Sequence, residues 1–232
     1  MSYLIEFRLR GFAKRYSQGL IKELGYKFKT KGMKNKKSHI TLYGPFTTNN
    51  EKKMISRVLK LCKEYDRIYF SIKGINYFNN PKNKVVYLDI VPSEDLKEFR
   101  FKLASILKKI TKTKSKEDVK TKNQFSFHST IAFKDIDYKL EKILNHLKRK
   151  NHPKIRQTLL RVTILKNGKI LREYDFLLNK MLNRGQALSK NIFRETISKL
   201  KQEPLSRKMN KSRGIKPKQT SIWNKIKLFF RT

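Results

Sequence analysis

The chain has little of what many folds use to staple or ligate themselves. One cysteine among 232 residues, Cys62, excludes an intramolecular disulfide framework and any zinc site built from several thiolates. It falls in an amphipathic helical pattern, where a small buried apolar group is its expected role. Acidic side chains are scarce: 18 Asp and Glu stand against 57 Lys and Arg, a net charge of +39. The carboxylate and cysteine clusters that hold zinc or calcium are missing from the pattern, so no metal and no cofactor is expected. No run approaches the ~20 apolar residues that span a bilayer. The opening residues MSYLIEFRLRGF also lack the apolar core of a signal peptide. A soluble, cytoplasmic, monomeric protein with no integral membrane segment is the expectation.

So large an excess of one charge says nothing about fold, but it favours a polyanionic partner. Nucleic acid comes first; an anionic membrane surface comes second. The bland alternative is the lysine-rich drift of an AT-rich genome.

What the chain does have is a short repeat. His39-Ile40-Thr41-Leu42 and His128-Ser129-Thr130-Ile131 both read His-x-Thr-aliphatic, and both sit in apolar, strand-like runs. With four histidines in the chain, composition alone gives only about 0.2 such matches, so two of them carry weight that one would not. Residues two apart on a strand share a face. His39 and Thr41 therefore point one way, His128 and Thr130 likewise, and Leu42 and Ile131 turn to the packed side. Tyr43 continues the face of Thr41 and is the candidate for stacking on a base.

The chain in order reads as follows. Residues 3–9 alternate as a half-buried strand. Residues 12–24 form a helix that stops before Gly25. Residues 30–38 are a lysine-rich loop. Lys36 and Lys37 at its end are candidate phosphate-binding residues; a plainly solvated loop is the competing reading. Asn50 caps a helix to residue 65 that buries Met54, Val58, Leu61 and Cys62. Residues 68–78 and 85–91 pair as a hairpin. Ser93 caps a helix to residue 110. Residues 112–122 are a polar loop, 125–133 the second His-x-Thr strand, and 135–149 a helix. Asn167-Gly168 joins the strands 159–165 and 170–176 in a two-residue hairpin. The order β-α-β-α-β-β-α-β-α-β-β implies an α+β fold of two similar halves around a central groove, over residues 1–182. Residues 183–232 hold fourteen Lys or Arg against two acids and are expected as a basic extension, helical over 187–200 and disordered beyond. Ile222-Trp223 to Phe229-Phe230 is a basic segment with aromatic anchors, read either as an RNA- or membrane-touching end or as a frayed tail.

Two histidines and two threonines suit acid–base chemistry on a phosphate. With an ordinary pKa near 6.5, one imidazole can be neutral while its partner is charged. The hydroxyls can donate hydrogen bonds to phosphoryl oxygens. A 2′,3′-cyclic phosphate, opened by proton removal from water and proton delivery to the leaving ribose oxygen, fits that set. The competing reading is a pair of satisfied structural histidines. His146 and His152 lack a Thr partner and are read as surface residues.

On the two His-x-Thr motifs, their separation, and the run Leu42-Tyr43-Gly44-Pro45-Phe46, the sequence resembles the two-histidine phosphoesterase superfamily. The likeness is to its branch of 2′-5′ RNA ligases and RNA 2′,3′-cyclic phosphodiesterases and spans roughly residues 3–180. The resemblance implies a bilobal α+β fold and metal-independent hydrolysis of RNA 2′,3′-cyclic phosphate ends, on tRNA or other RNA, to 2′-phosphomonoesters. By it His39 is the general acid, His128 the general base, and Thr41 and Thr130 hold the phosphate. Ligation through a 2′-5′ bond is the reverse direction at the same site. An RNA-binding protein with a vestigial site, or a phosphodiesterase acting on a small cyclic nucleotide, are the alternatives.

Overall fold

The computed structural model describes residues 1–80, 83–113 and 115–202. The expectations placed on residues 203–232, including the aromatic-anchored basic segment, lie outside them.

The first strand, β1 (Tyr3–Arg8), buries Tyr3, Ile5 and Phe7 as its alternation requires. Helix α1 (Gly11–Phe28) buries Ala13, Ser17, Leu20 and Leu24 at three- and four-residue spacing. It runs straight through Gly25, because Phe28, one turn beyond Leu24, also packs on the core. The helix ends instead at Lys29, which takes the left-handed conformation at φ 55°. β2 (His39–Thr47) carries the first motif. α2 (Glu51–Cys62) is capped by the Asn50 side chain, which accepts from the Lys53 N–H, and it buries the four residues expected of it. Burial pushes the Cys62 thiol pKa up and keeps it a neutral core group.

β3 (Ile68–Asn80) and β4 (Asn83–Pro92) pair as a long hairpin, followed by the Ser93-capped α3 (Glu94–Lys108). The segment expected as a polar loop is more ordered. β5 (Lys112–Thr113) adds to β2, and a 3₁₀ turn, Lys116–Val119, buries Asp118. β6 (His128–Phe133) carries the second motif. α4 (Leu140–Lys148) starts later than expected, because Lys134 turns at φ 73° and the Asp135 carboxylate accepts from the Lys31 and Gly32 backbone N–H groups. β7 (Ile155–Leu159) lacks clean alternation and has no counterpart among the expected elements. β8 (Arg161–Lys166) and β9 (Lys169–Asp175) are the Asn-Gly hairpin, with Asn167 and Gly168 both at positive φ. β10 (Lys180–Leu182) leads into α5 (Arg184–Leu188) and α6 (Lys190–Gln202), two helices where one was expected.

The strands form two antiparallel sheets, ordered β10-β9-β8-β1-β2-β5 and β6-β4-β3-β7. One hydrophobic core joins both, with Phe7 of the first sheet edge-on to Phe70 of the second. The fold is thus α+β, each sheet holding one His-x-Thr strand, and β2 packs against β6.

The lysine-rich loop crosses from one sheet to the other. Its Gly32 lies so close to β6 that a Cβ there would sit 2.0 Å from the Phe133 carbonyl oxygen. Only glycine allows that approach, and it seats the loop that feeds His39 against the strand that carries His128.

α5 and α6 are seated on the first sheet. Arg161, buried under them, donates to Asp175, Glu173, the Ala187 carbonyl and the Thr196 hydroxyl. Phe193 lies under two guanidinium groups, with Arg10 and Arg161 at 5.0 and 5.3 Å from its ring. Among the described residues no helix is long and apolar enough to cross a membrane.

Candidate active site

Each motif strand is held by the same three devices. The first is the alternation: His39 and Thr41 are half-buried between fully buried Ile40 and Leu42, and His128 and Thr130 are half-buried between Ser129 and Ile131. The second is a main-chain hold on the ring. His39 Nδ1 lies 2.8 Å from the Lys37 carbonyl oxygen, and His128 Nδ1 lies 2.9 Å from that of Ser126. A carbonyl can only accept, so Nδ1 carries a proton in both rings and each neutral imidazole presents the lone pair of Nε2. The third is a one-residue bulge directly after each threonine. Glu6 opposes Thr41 and Ile5 opposes Tyr43, which leaves Leu42 extra; Tyr87 opposes Thr130 and Val86 opposes Ala132, which leaves Ile131 extra.

That bulge overturns the expectation for Tyr43. The extra residue shifts the alternation by one, so Tyr43 turns into the core, fully buried, against Phe46 and with its hydroxyl 2.8 Å from Thr111 Oγ1. It offers no face to a base. Behind it, Asp118 accepts from the Gly44 N–H and the Thr113 hydroxyl, with Arg100 at 3.4 Å. Arg100 also lies 3.9 Å over the Phe125 ring, so one buried cation braces the end of the first motif strand and the approach to the second.

The two rings have different surroundings. Glu6, a buried carboxylate on β1, stands 3.9 Å from His39 Nε2 and receives the Arg8 guanidinium on its other oxygen at 2.6 Å. His128 lies against aromatic rings: Phe78 edge-on at 5.2 Å and Tyr87 at 5.3 Å between centroids. Burial pushes the His128 pKa below its usual value, partly offset by the Ser126 carbonyl and Glu117. Charge on His39 pushes it the same way as burial. Glu6 and Phe78 were not singled out in the sequence. Glu6 reads there as an ordinary outward strand residue, and Phe78 meets His128 only through the pairing of β3, β4 and β6.

Lys36 and Lys37 are exposed and line a hollow between α1 and the lysine-rich loop. Lys37 also borders a second hollow, lined by residues of β1, α1, α5 and α6. His146 and His152 stand apart from the motifs as ties between α4 and α1: His146 meets Glu23, and His152 accepts from the Tyr16 hydroxyl while its Nε2 donates to the Leu147 carbonyl. Among the described residues, no three His, Cys, Asp or Glu side chains gather as a metal site.

Two antiparallel sheets, each presenting a His-x-Thr strand with the same ring hold and the same bulge, define a pseudo-symmetric two-histidine arrangement. Residues 13–169, about two thirds of the chain, match the 2′-5′ RNA ligase superfamily, and the chain belongs to that family. Two solved structures are similar: Kluyveromyces marxianus Usb1, and the same protein with uridine monophosphate. They are 11% and 12% identical, each covering 73% of this chain and 95% of that chain with a TM-score of 0.44. No curated protein matches.

Proposed function

We propose that the protein is a metal-independent phosphodiesterase that opens RNA 2′,3′-cyclic phosphate ends to 2′-phosphomonoesters. The observation that carries the reading is the matched hold on the two imidazoles, which leaves one Nε2 in each half free to exchange a proton. Membership of the 2′-5′ RNA ligase superfamily and a net charge of +39 support RNA as the substrate.

The different surroundings of the two rings support one division of roles. His128, whose charged form burial disfavours, is the base: its Nε2 takes a proton from the attacking water as the new P–O bond forms. His39, with the Glu6 carboxylate 3.9 Å from its Nε2, takes the complementary role of acid. As the P–O3′ bond breaks, His39 Nε2–H protonates the leaving oxygen. Thr41 and Thr130 donate to the non-bridging oxygens and stabilise the growing charge. Water consumed becomes one P–OH and one ribose hydroxyl, and nothing is oxidised or reduced.

The test is release of a 2′-phosphomonoester from an RNA oligonucleotide ending in a 2′,3′-cyclic phosphate, with EDTA present. Turnover supports the reading, and its absence in the intact protein removes it.

A pH dependence follows from the His128 environment. The base must be neutral to act, and its pKa is depressed, so the acid limb of kcat/KM is expected below the ordinary histidine value near 6.5. Phe78→Ala admits water to the ring and is expected to move that limb to higher pH. An unmoved limb would show that the burial of His128 does not set it.

A further inference from the structure

α5 and α6 lie beyond the family match, which ends at residue 169, yet they complete a cavity that Lys37 and Ser38, the two residues before His39, also line. The cavity, of about 400 Å3, is open at the surface and sits where these helices meet β1 and the start of α1. Six cations line it: Arg8, Arg10, Lys14, Lys37, Lys190 and Arg194. Two are committed to carboxylates, Arg8 to Glu6 and Arg10 to Glu173. Among the described residues no carboxylate lies within ion-pair distance of Lys14, Lys37, Lys190 or Arg194. Four cations gathered around one hollow repel one another, an arrangement that an anion relieves. Their supports are rigid: α6 is locked by the Thr196 hydroxyl to Asp175 and Arg161, and Phe193 in the wall lies under Arg10 and Arg161.

The cavity also adjoins the proposed site. Arg8 is the register partner of His39, and Lys37 is the residue whose carbonyl holds the His39 ring. An RNA strand with its terminal phosphate at the histidines carries its next phosphate within one nucleotide of that place. Resting on the phosphodiesterase reading, we infer that this cavity is a second anion subsite, taking the internucleotide phosphate next to the cyclic end. It makes the protein an enzyme of RNA strands in preference to mononucleotides.

The test compares wild type with Lys190→Ala/Arg194→Ala, alanine being the residue that best preserves α6. Two measurements are made on the full chain. The first is the ratio of kcat/KM on a short RNA ending in a cyclic phosphate to that on a nucleoside 2′,3′-cyclic phosphate. It is expected to fall about tenfold in the variant. The second is fluorescence anisotropy of an RNA carrying a 3′-phosphate, which reads binding without turnover. Affinity is expected to weaken about tenfold, with the salt slope reduced by about one. An unchanged ratio together with unchanged affinity overturns the subsite. A wild type that turns over neither substrate, yet binds RNA more tightly than the variant, removes the phosphodiesterase reading and keeps the anion site. Lys14→Ala, on α1 and not α6, gives the same readings should the double variant fail to fold.

Discussion

Alanine at either His39 or His128 is expected to lower kcat/KM for cyclic-phosphate-ended RNA by about 10²–10⁴-fold, the usual worth of one positioned proton transfer. The double substitution should cost far less than the product of the two, because acid and base serve a single displacement and the second loss removes help already lost. The roles separate by leaving group. A diester that expels a nitrophenolate needs no proton on its leaving oxygen, so His39→Ala should recover much of its loss on such a substrate while His128→Ala should not. The pH profile should follow the base, His128→Ala losing the acid limb. Full activity in both variants would end the assignment, and thermal melts close to wild type would show that the half-buried rings are not the fold's own supports.

The second large effect is on stability. Arg161→Ala is expected to destabilise the protein by about 3–5 kcal/mol, the range for removing one partner of a buried ion pair, and so to lower Tm by roughly 10 °C. Arg161 is 2% exposed and Glu173 and Asp175 are fully buried, so its loss strands two carboxylates away from water. It also frees the Ala187 carbonyl and the Thr196 hydroxyl, through which β8 holds α5 and α6. Arg161→Lys keeps the charge but not the fork that reaches four acceptors, and should fall between wild type and alanine in a denaturant titration. A melt within 2 °C of wild type for Arg161→Ala would show the cluster to be incidental. The same geometry means that truncation after residue 182 exposes this cluster, so a shortened chain is expected to lose stability as well as cations.

Much of this was legible along the chain because its signals are local. Alternation marks β1 and the β3–β4 hairpin, Asn50 and Ser93 announce α2 and α3, and Asn167-Gly168 dictates its turn. The two motifs were visible as a repeat, and their placement in different sheets followed from the order of elements. What stayed hidden is non-local. The bulge at Leu42 is a mismatch between two strands and leaves no mark on either one, so period-two reasoning carried Tyr43 to the wrong face. β7 exists because Ile155 and Leu159 pair with β3, while its own residues barely alternate. Arg161 reads as a charged strand residue until Glu173, Asp175 and Thr196 close over it. Glu6 becomes a partner of His39 only through the β1–β2 register.

The hold on the two imidazoles has a consequence for how such a site tolerates change. Both rings are steered by peptide oxygens, those of Lys37 and Ser126, which every amino acid possesses. Neither side chain at those positions is needed for the steering, so both are free to vary with the substrate while the tautomer stays put. Proton chemistry and recognition are thereby uncoupled: one is written in the course of the backbone, the other in side chains that can be rewritten around it.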